Sequence, residues 1–442
     1  MINFAKGHPD PGFLPNALIA AGLQRTAAVL TGAAADQTLQ KTLPTPPALL
    51  NYCAGRGAAI YRDRLARFIT RQANDGCRAH SDSLLTVNGV SHGLSLIASV
   101  LAKPGDEVLV ETPCYFLACD IFKHHHLSVV PLPLARSSHH HHHRPPPLPL
   151  DPLSPSSASS FSFCLEGLER TLNEHPKAKL LYLVPTHCNP TGHSLCDATR
   201  KGLVELCKAK GVTVVADEVY HFLDWTAAAS GQPTSPSWCR PKRMVAHDSA
   251  FFRRHSEAFP PPPSTSKPPT GTHTQKKRKT EGVGAEGGED EEECYRNARQ
   301  GKSGSGGDDK EEEEGEGGDE NGTVVSVSSF TKIAAPGLRL GWIEACPSVI
   351  KRLAAHGYVV SGGGVAPMAE EIVSALINDD DGDDDGGYGH DHRKHFPSAL
   401  ASSSLSPSLS SSSSSSPPPP SSSSPARGTP LESYLTSLCA AY

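Results

Sequence analysis

Five short apolar runs constrain this 442-residue chain more than any other feature. They are residues 107–111 (EVLVE), 127–131 (LSVVP), 179–184 (KLLYLV), 212–216 (VTVVA) and 323–328 (TVVSVS). Runs of this length without strict alternation suit parallel strands covered on both faces. Helical patterns lie between them. HGLSLIASVLAK at 92–103 stops at Pro104-Gly105, and DATRKGLVELCKAK at 197–210 has Asp197 placed as an N-cap and Gly211 just past its end. Strand–helix alternation of this kind predicts an α/β fold around a mostly parallel sheet.

Three compositionally biased segments interrupt that pattern. Residues 136–160 contain the run His139 to His143 and then Pro and Ser. Residues 249–320 contain PPPP, the basic run Lys276-Lys277-Arg278-Lys279 and acidic Gly-rich stretches such as Glu311 to Glu314. Residues 380–428 contain Asp/Gly repeats, poly-Ser and poly-Pro. These compositions bury too little apolar surface to offset chain entropy, so the segments are expected to be disordered. They also explain why hydrophobic residues reach only 37%. Setting them aside leaves about 300 residues, enough for a sizeable core.

The net charge of −6 gives no reason to expect nucleic-acid or membrane binding. No signal or transit peptide opens the chain, and no run of about 18 apolar residues exists. The 12 cysteines include no CxxC pair, so neither a disulfide framework nor a metal site is expected. Cys114 and Cys119 read as reduced thiols of a cytoplasmic protein. The five-histidine run reads as a solvated tract, His124 to His126 as surface residues at a helix end, and the KKRK run as a charged linker or an import signal.

In an open α/β sheet, ligands bind beyond the carboxyl ends of the strands. After 107–111 comes Thr112-Pro113-Cys114-Tyr115. After 179–184 comes Pro185-Thr186-His187-Cys188-Asn189-Pro190-Thr191-Gly192. After 212–216 comes Asp217-Glu218-Val219-Tyr220. After 323–328 comes Ser329-Phe330-Thr331-Lys332, then Pro336-Gly337-Leu338-Arg339-Leu340-Gly341-Trp342. Asn88-Gly89-Val90-Ser91-His92-Gly93 precedes the first helix.

NPTG, ADEVY, SFTK and PGLRLGW, in that order and each at a strand end, resemble the class I/II aminotransferase family of fold-type I pyridoxal-phosphate (PLP) enzymes. The variant is similar to the kynurenine and 2-aminoadipate aminotransferase group. The resemblance implies the type I PLP-transferase fold, a mostly parallel mixed sheet flanked by helices with a second, smaller domain. It implies an N-terminal segment over 1–45, a large PLP-binding domain over 46–350 and the start of a small domain over 351–442. The tail LESYLTSLCAAY resembles the helix leading into that domain. The family's remaining small-domain sequence, with its arginine for the substrate carboxylate, has no match here, Arg427 included, so the chain reads as incomplete.

By the same resemblance, Lys332 forms the Schiff base and Asp217 pairs with the protonated pyridine nitrogen. Asn189 and Tyr220 hydrogen-bond the ring's phenolic oxygen. Tyr115 stacks on the ring, and Ser329, Thr331, Arg339 and the backbone N–H groups of Val90 and Ser91 hold the phosphate. Tyr52 reaches the phosphate of a partner subunit, implying a homodimer. Gly7 and Asn189 line the substrate pocket. Read from residues alone, Lys332 is also a surface lysine, Asp217 a helix cap and Tyr115 a core aromatic. His92 stands where many relatives carry an amide, and its role is open. The reaction implied is transfer of an amino group from an amino acid to a 2-oxo acid. A β-lyase or decarboxylase, or a degenerate scaffold without activity, are the alternatives.

Limited proteolysis should cut first within 136–160, 249–320 and 380–428. Protection of 249–320 in the isolated protein would refute the reading of that segment.

Overall fold

A computed structural model describes residues 12, 14–31, 49–52, 54–133, 135–136, 161–223, 240–251, 322–378 and 429–441. Gly7, the five-histidine run, the KKRK run, Arg427 and nearly all of the three biased segments lie outside the described residues.

In chain order the elements are α1 (Asn16–Thr31), α2 (Ala59–Ala73), β1 (Leu84–Val87), α3 (Val90–Leu101), β2 (Glu107–Thr112), α4 (Phe116–His124) and β3 (Ser128–Pro133). Then follow β4 (Ala135–Arg136), β5 (Phe161–Ser162), α5 (Leu165–Glu174), β6 (Ala178–Leu183), α6 (Asp197–Ala209) and β7 (Thr213–Asp217). The described chain continues with β8 (Val324–Ser329), α7 (Phe330–Ile333), β9 (Gly341–Ala345), α8 (Pro347–Ala354), α9 (Pro367–Ile377) and α10 (Pro430–Ala441). All five apolar runs are strands, each within two residues of its expected bounds, and the tail is a helix.

Seven strands form one sheet in the order β1-β9-β8-β7-β6-β2-β3. Strands β3, β2, β6, β7 and β8 are mutually parallel, while β9 runs antiparallel to both β8 and β1. Because side chains alternate across a strand, the apolar runs feed two cores. Val108, Val110, Leu180, Tyr182, Val215 and Val325 face α3, α4 and α8. Leu109, Leu181, Leu183, Val214, Ala216 and Val324 face α5 and α6. A third core joins α2, α9 and α10 to Phe330 and Trp342. There α1 crosses α9 closely at Gly22, where a Cβ would stand 2.8 Å from the Ile372 carbonyl oxygen.

Strands β1 and β9 were not among the expected elements. Strand β1 has only four residues, and β9 carries Glu344 in its middle. Glu344 is buried because Arg243, 2% exposed, donates to both of its oxygens at 2.7 Å and to Asp75 Oδ2 at 2.9 Å. Burial pushes the Glu344 carboxyl up to about 7, against the pull of Arg243. One further correction concerns α6. Its N-cap is Cys196, not Asp197, which lies in the first turn and accepts from the Lys242 N–H at 2.8 Å.

Folded structure also reaches into the edges of two biased segments. Arg136 belongs to β4, and Phe251 is fully buried. Just before Phe251, the buried Asp248 accepts from the Thr323 and Val324 N–H groups at 2.5 and 2.9 Å. The start of β8 is thereby tied to the point where the described chain breaks off at 251.

Arg243→Met should destabilise the protein by about 3–5 kcal/mol, because it strands two buried carboxylates. Adding Glu344→Gln should recover part of that loss. Urea unfolding midpoints of the three proteins check the coupling.

Candidate active site

From β2 the chain crosses outward to β3. It then jumps back and proceeds the other way through β6, β7 and β8. Neighbouring strands β2 and β6 therefore send their chains in opposite directions, which opens a crevice at their carboxyl ends. Register between them runs only to Val110 and Tyr182. Past it, the Val184 N–H finds its acceptor in the buried side chain of Glu111, at 2.6 Å.

Asp217 ends β7, the middle strand, and is 4% exposed. Tyr182, in the adjacent strand, donates its hydroxyl to Oδ2 at 3.0 Å. Oδ1 is buried without a hydrogen-bond partner among the described residues. Burial pushes this carboxyl up to about 6, although the Tyr182 hydroxyl, the Val219 N–H and the charge of Lys332 all pull it down. Lys332 lies in the single helical turn after β8, half-buried. The sequence therefore brings the two residues together from adjacent strand ends.

Tyr220 is half-buried and hydrogen-bonded to Asn189, and burial raises its phenol. Tyr115, just before α4, is close enough to feel both Asp217 and Arg339. Asn189, Tyr220 and Tyr115 thus rim the buried carboxylate from three strand ends.

A second group lies beside them. The first N–H groups of α3, at Val90 and Ser91, point out of the helix start with no intrahelical carbonyl to bond. Gly89 caps that start at φ +78, and a Cβ on it would stand 2.8 Å from Arg339 Nη2. Arg339 donates to the Asn88 carbonyl at 3.4 Å and is exposed. Ser329 caps α7 through the Thr331 N–H at 3.0 Å and donates to Thr331 Oγ1 at 2.7 Å. Helix start, guanidinium and two hydroxyls make an anion cradle. His92 has a defined part here: its Nδ1 accepts from the Asn88 N–H at 3.0 Å, fixing the turn, and its ring packs on Tyr358. Tyr52 is 79% exposed, with its ring over Gly362. Gly7 lies outside the described residues.

Sequence reading missed Tyr182, which resembles core filler in KLLYLV. Its one signal is that a hydroxyl in a fully buried strand needs a partner. Glu111 was likewise read only as the polar end of a run.

The model of the family described as "Aminotransferase class I and II" matches residues 30–230. Over that stretch the chain is similar to the class I and II aminotransferase family. The match spans Val90, Ser91, Tyr115, Asn189, Asp217 and Tyr220, while Lys332 and Arg339 lie downstream of it. Among curated relatives, aromatic-amino-acid aminotransferase 1 of Thermococcus litoralis is 24% identical over 272 residues, 61% of this chain and 40% of that protein. This chain thus spans less than half of that relative's length. Among solved structures, N-succinyldiaminopimelate aminotransferase of Mycobacterium tuberculosis superposes with a TM-score of 0.51 at 16% identity. The superposition covers 84% of this chain and 64% of that one. The α-aminoadipate aminotransferase of Thermus thermophilus, solved with N-(5′-phosphopyridoxyl)-L-leucine, gives 0.50 at 18% identity, covering 85% and 63%. The fold is that of these PLP-dependent aminotransferases.

PLP is the cofactor of this family, and the donor set fits it. A buried carboxylate oxygen without a partner suits a ring N–H, the paired Asn189 and Tyr220 suit a phenolic oxygen, and the cradle at Gly89 suits a phosphate. No described helix is long and apolar enough to cross a membrane.

Asp217 in the cofactor-free fold keeps its proton up to about pH 6, whereas unfolded it loses it near 3.8. The fold therefore binds the extra proton between those values, and stability falls as pH rises through that window. The loss amounts to about 3 kcal/mol. Asp217→Asn cannot ionise, so its stability relative to the cofactor-free parent should rise between about pH 4 and pH 7. Thermal unfolding at the two pH values tests this, and a fall over that range would show that the carboxylate is stabilised in the fold.

Proposed function

We propose that this chain holds PLP and acts as an aminotransferase, moving an amino group from an amino acid to a 2-oxo acid. The observation that carries the reading is Asp217: a fully buried carboxylate with an unpartnered oxygen, on the middle strand, one strand away from Lys332. Such a group is costly to bury without a cationic partner.

When bound, PLP supplies an electron sink for the pair left at the substrate Cα when a bond to it breaks. The chain's own residues do the rest. Asp217 accepts the proton-bearing ring nitrogen and keeps it charged, while Tyr182 holds the carboxylate's other oxygen in place. Lys332 would hold the cofactor through its Nζ, the same atom that, as a free amine, would take the Cα proton and return it. Asn189 and Tyr220 fix the ring oxygen. Tyr115 covers the ring face, and the cradle of Ser329, Thr331, Arg339, Val90 and Ser91 binds the phosphate.

Gly7 and Asn189 are the proposed substrate contacts. An aromatic or 2-aminoadipate-like donor is the favoured class, supported by the names of the relatives described above. A homodimer with Tyr52 reaching the partner's phosphate is the proposed assembly, and the exposure of that side chain supports it. The domain plan of an N-terminal segment, a large domain to residue 350 and a small domain after it belongs to the same reading. The nine described cysteines are all free thiols, which supports a cytoplasmic location.

Borohydride reduction of the PLP-loaded protein, followed by digestion and mass spectrometry, should find a pyridoxyl group on Lys332. A label on another lysine, or none on folded protein, would sink the assignment. Asp217→Asn should retain PLP yet slow the half-reaction with an aromatic amino acid by at least about a hundredfold.

A further inference from the structure

Beside the crevice, and used by none of the steps above, stand Glu111, Cys188 and His193. Glu111 is fully buried at the end of β2. One of its oxygens accepts from the Val184 N–H and from the Cys188 thiol, the latter at 3.2 Å. The other, Oε2, has no hydrogen-bond partner among the described residues, and neither has His193 Nε2. These two atoms face each other at 3.6 Å, too far for a hydrogen bond and unexplained by one.

Cys188 and His193 are held in one tight turn. The Cys188 N–H donates to the His193 carbonyl at 2.9 Å, and the Gly192 N–H donates to the Cys188 carbonyl at 2.6 Å. His193 Nδ1 is bonded to the Thr191 hydroxyl. With Nδ1 as donor there, the lone pair of Nε2 points at Glu111. Locking the tautomer through the second ring nitrogen is how metal-binding histidines are usually oriented. One donor atom from each of the three residues lies within 4.8 Å of the other two. Around a four-coordinate ion with bonds of about 2.0–2.3 Å, neighbouring donors stand roughly 3.3–3.6 Å apart. The 3.6 Å from His193 Nε2 to Glu111 Oε2 lies within that spacing, and the Cys188 Sγ stands 3.2 Å from the other oxygen of the same carboxylate.

We propose that Glu111, Cys188 and His193 form a site for a zinc-like divalent cation, clamping the 188–193 turn to the end of β2. A thiolate, an imidazole and a carboxylate together select such a borderline-soft ion. Binding displaces the thiol proton to solvent and forms the sulfur–metal bond, with no change of oxidation state. The cation also offsets the charge of a carboxylate that has no lysine or arginine paired with it among the described residues. Asn189 follows Cys188 directly, so the ion would fix the turn that presents Asn189 to the crevice. No close cysteine pair marks the site along the chain, because two ligands share the 188–193 turn and the third comes from a different strand.

The test uses the full chain without an added affinity tag, loaded with zinc or cobalt(II) and desalted. The wild type should retain about one ion per chain. A control with His139 to His143 replaced by Ala, and a Cys114→Ser/Cys119→Ser control, should retain it as well. The cobalt form should show a thiolate-to-metal charge-transfer band that Cys188→Ser abolishes. His193→Gln should weaken cobalt binding by about tenfold or more. X-ray absorption of the zinc-loaded wild type needs no variant and should find one sulfur among nitrogen and oxygen ligands. No retained ion in the wild type, loss of the ion with the histidine run alone, or a shell without sulfur would each overturn the proposal.

Discussion

Where two parallel strands part, backbone groups that had been paired lose their partners, and a buried amide cannot be left so. At the end of β2 and β6 that amide is Val184 N–H, and the Glu111 carboxylate replaces the missing strand. Much of the site depends on this bridge. It lets the sheet stay closed up to Tyr182 and open immediately afterwards. In the space so made, the turn bearing Asn189 and the segment bearing Tyr115 diverge while Asp217 stays at the bottom. The opening costs a fully buried carboxylate, whose proton affinity burial raises to about 7.

Three buried carboxylates near the sheet show how the same cost is met in different ways. Glu344 has Arg243, whose Nη1 donates to both of its oxygens. Glu218 has Arg200 at 3.7 Å, the Ser326 hydroxyl at 2.6 Å and the Met244 N–H at 3.0 Å. Asp217 has only a tyrosine hydroxyl, a backbone N–H and the nearby charge of Lys332. The first two are neutralised by elements of the fold and serve packing. The third is left under-compensated, as expected of a group whose partner arrives from outside.

The sheet was legible because parallel strands buried on both faces leave continuous apolar runs, and five of the seven did so. Strand β1 was too short to register, and β9 was masked by Glu344, whose partner Arg243 is remote in sequence. Candidate site residues stood out in the sequence where they follow a strand directly: Asp217, Lys332 and Asn189 each occupy the first few positions past an apolar run. Residues within the runs were not. Tyr182 and Glu111 sit inside strands, and only the third dimension shows what they touch. Asp197 was misread because the helix begins one residue earlier than its side chain suggests, leaving Cys196 as the cap.

Asp248 has a consequence for how this chain can vary. Its carboxylate grips both N–H groups at the start of β8 while Phe251, three residues on, is sunk in the core. The two ends of whatever lies between 251 and 322 are therefore fixed by the sheet itself. For a flexible connection with anchored ends, each doubling of length costs only about 0.6 kcal/mol. Closing a connection between two such anchors depends only weakly on its length. A sequence of another length grafted between those two anchors would leave the register of β8 on β7 to be set by Asp248 as before.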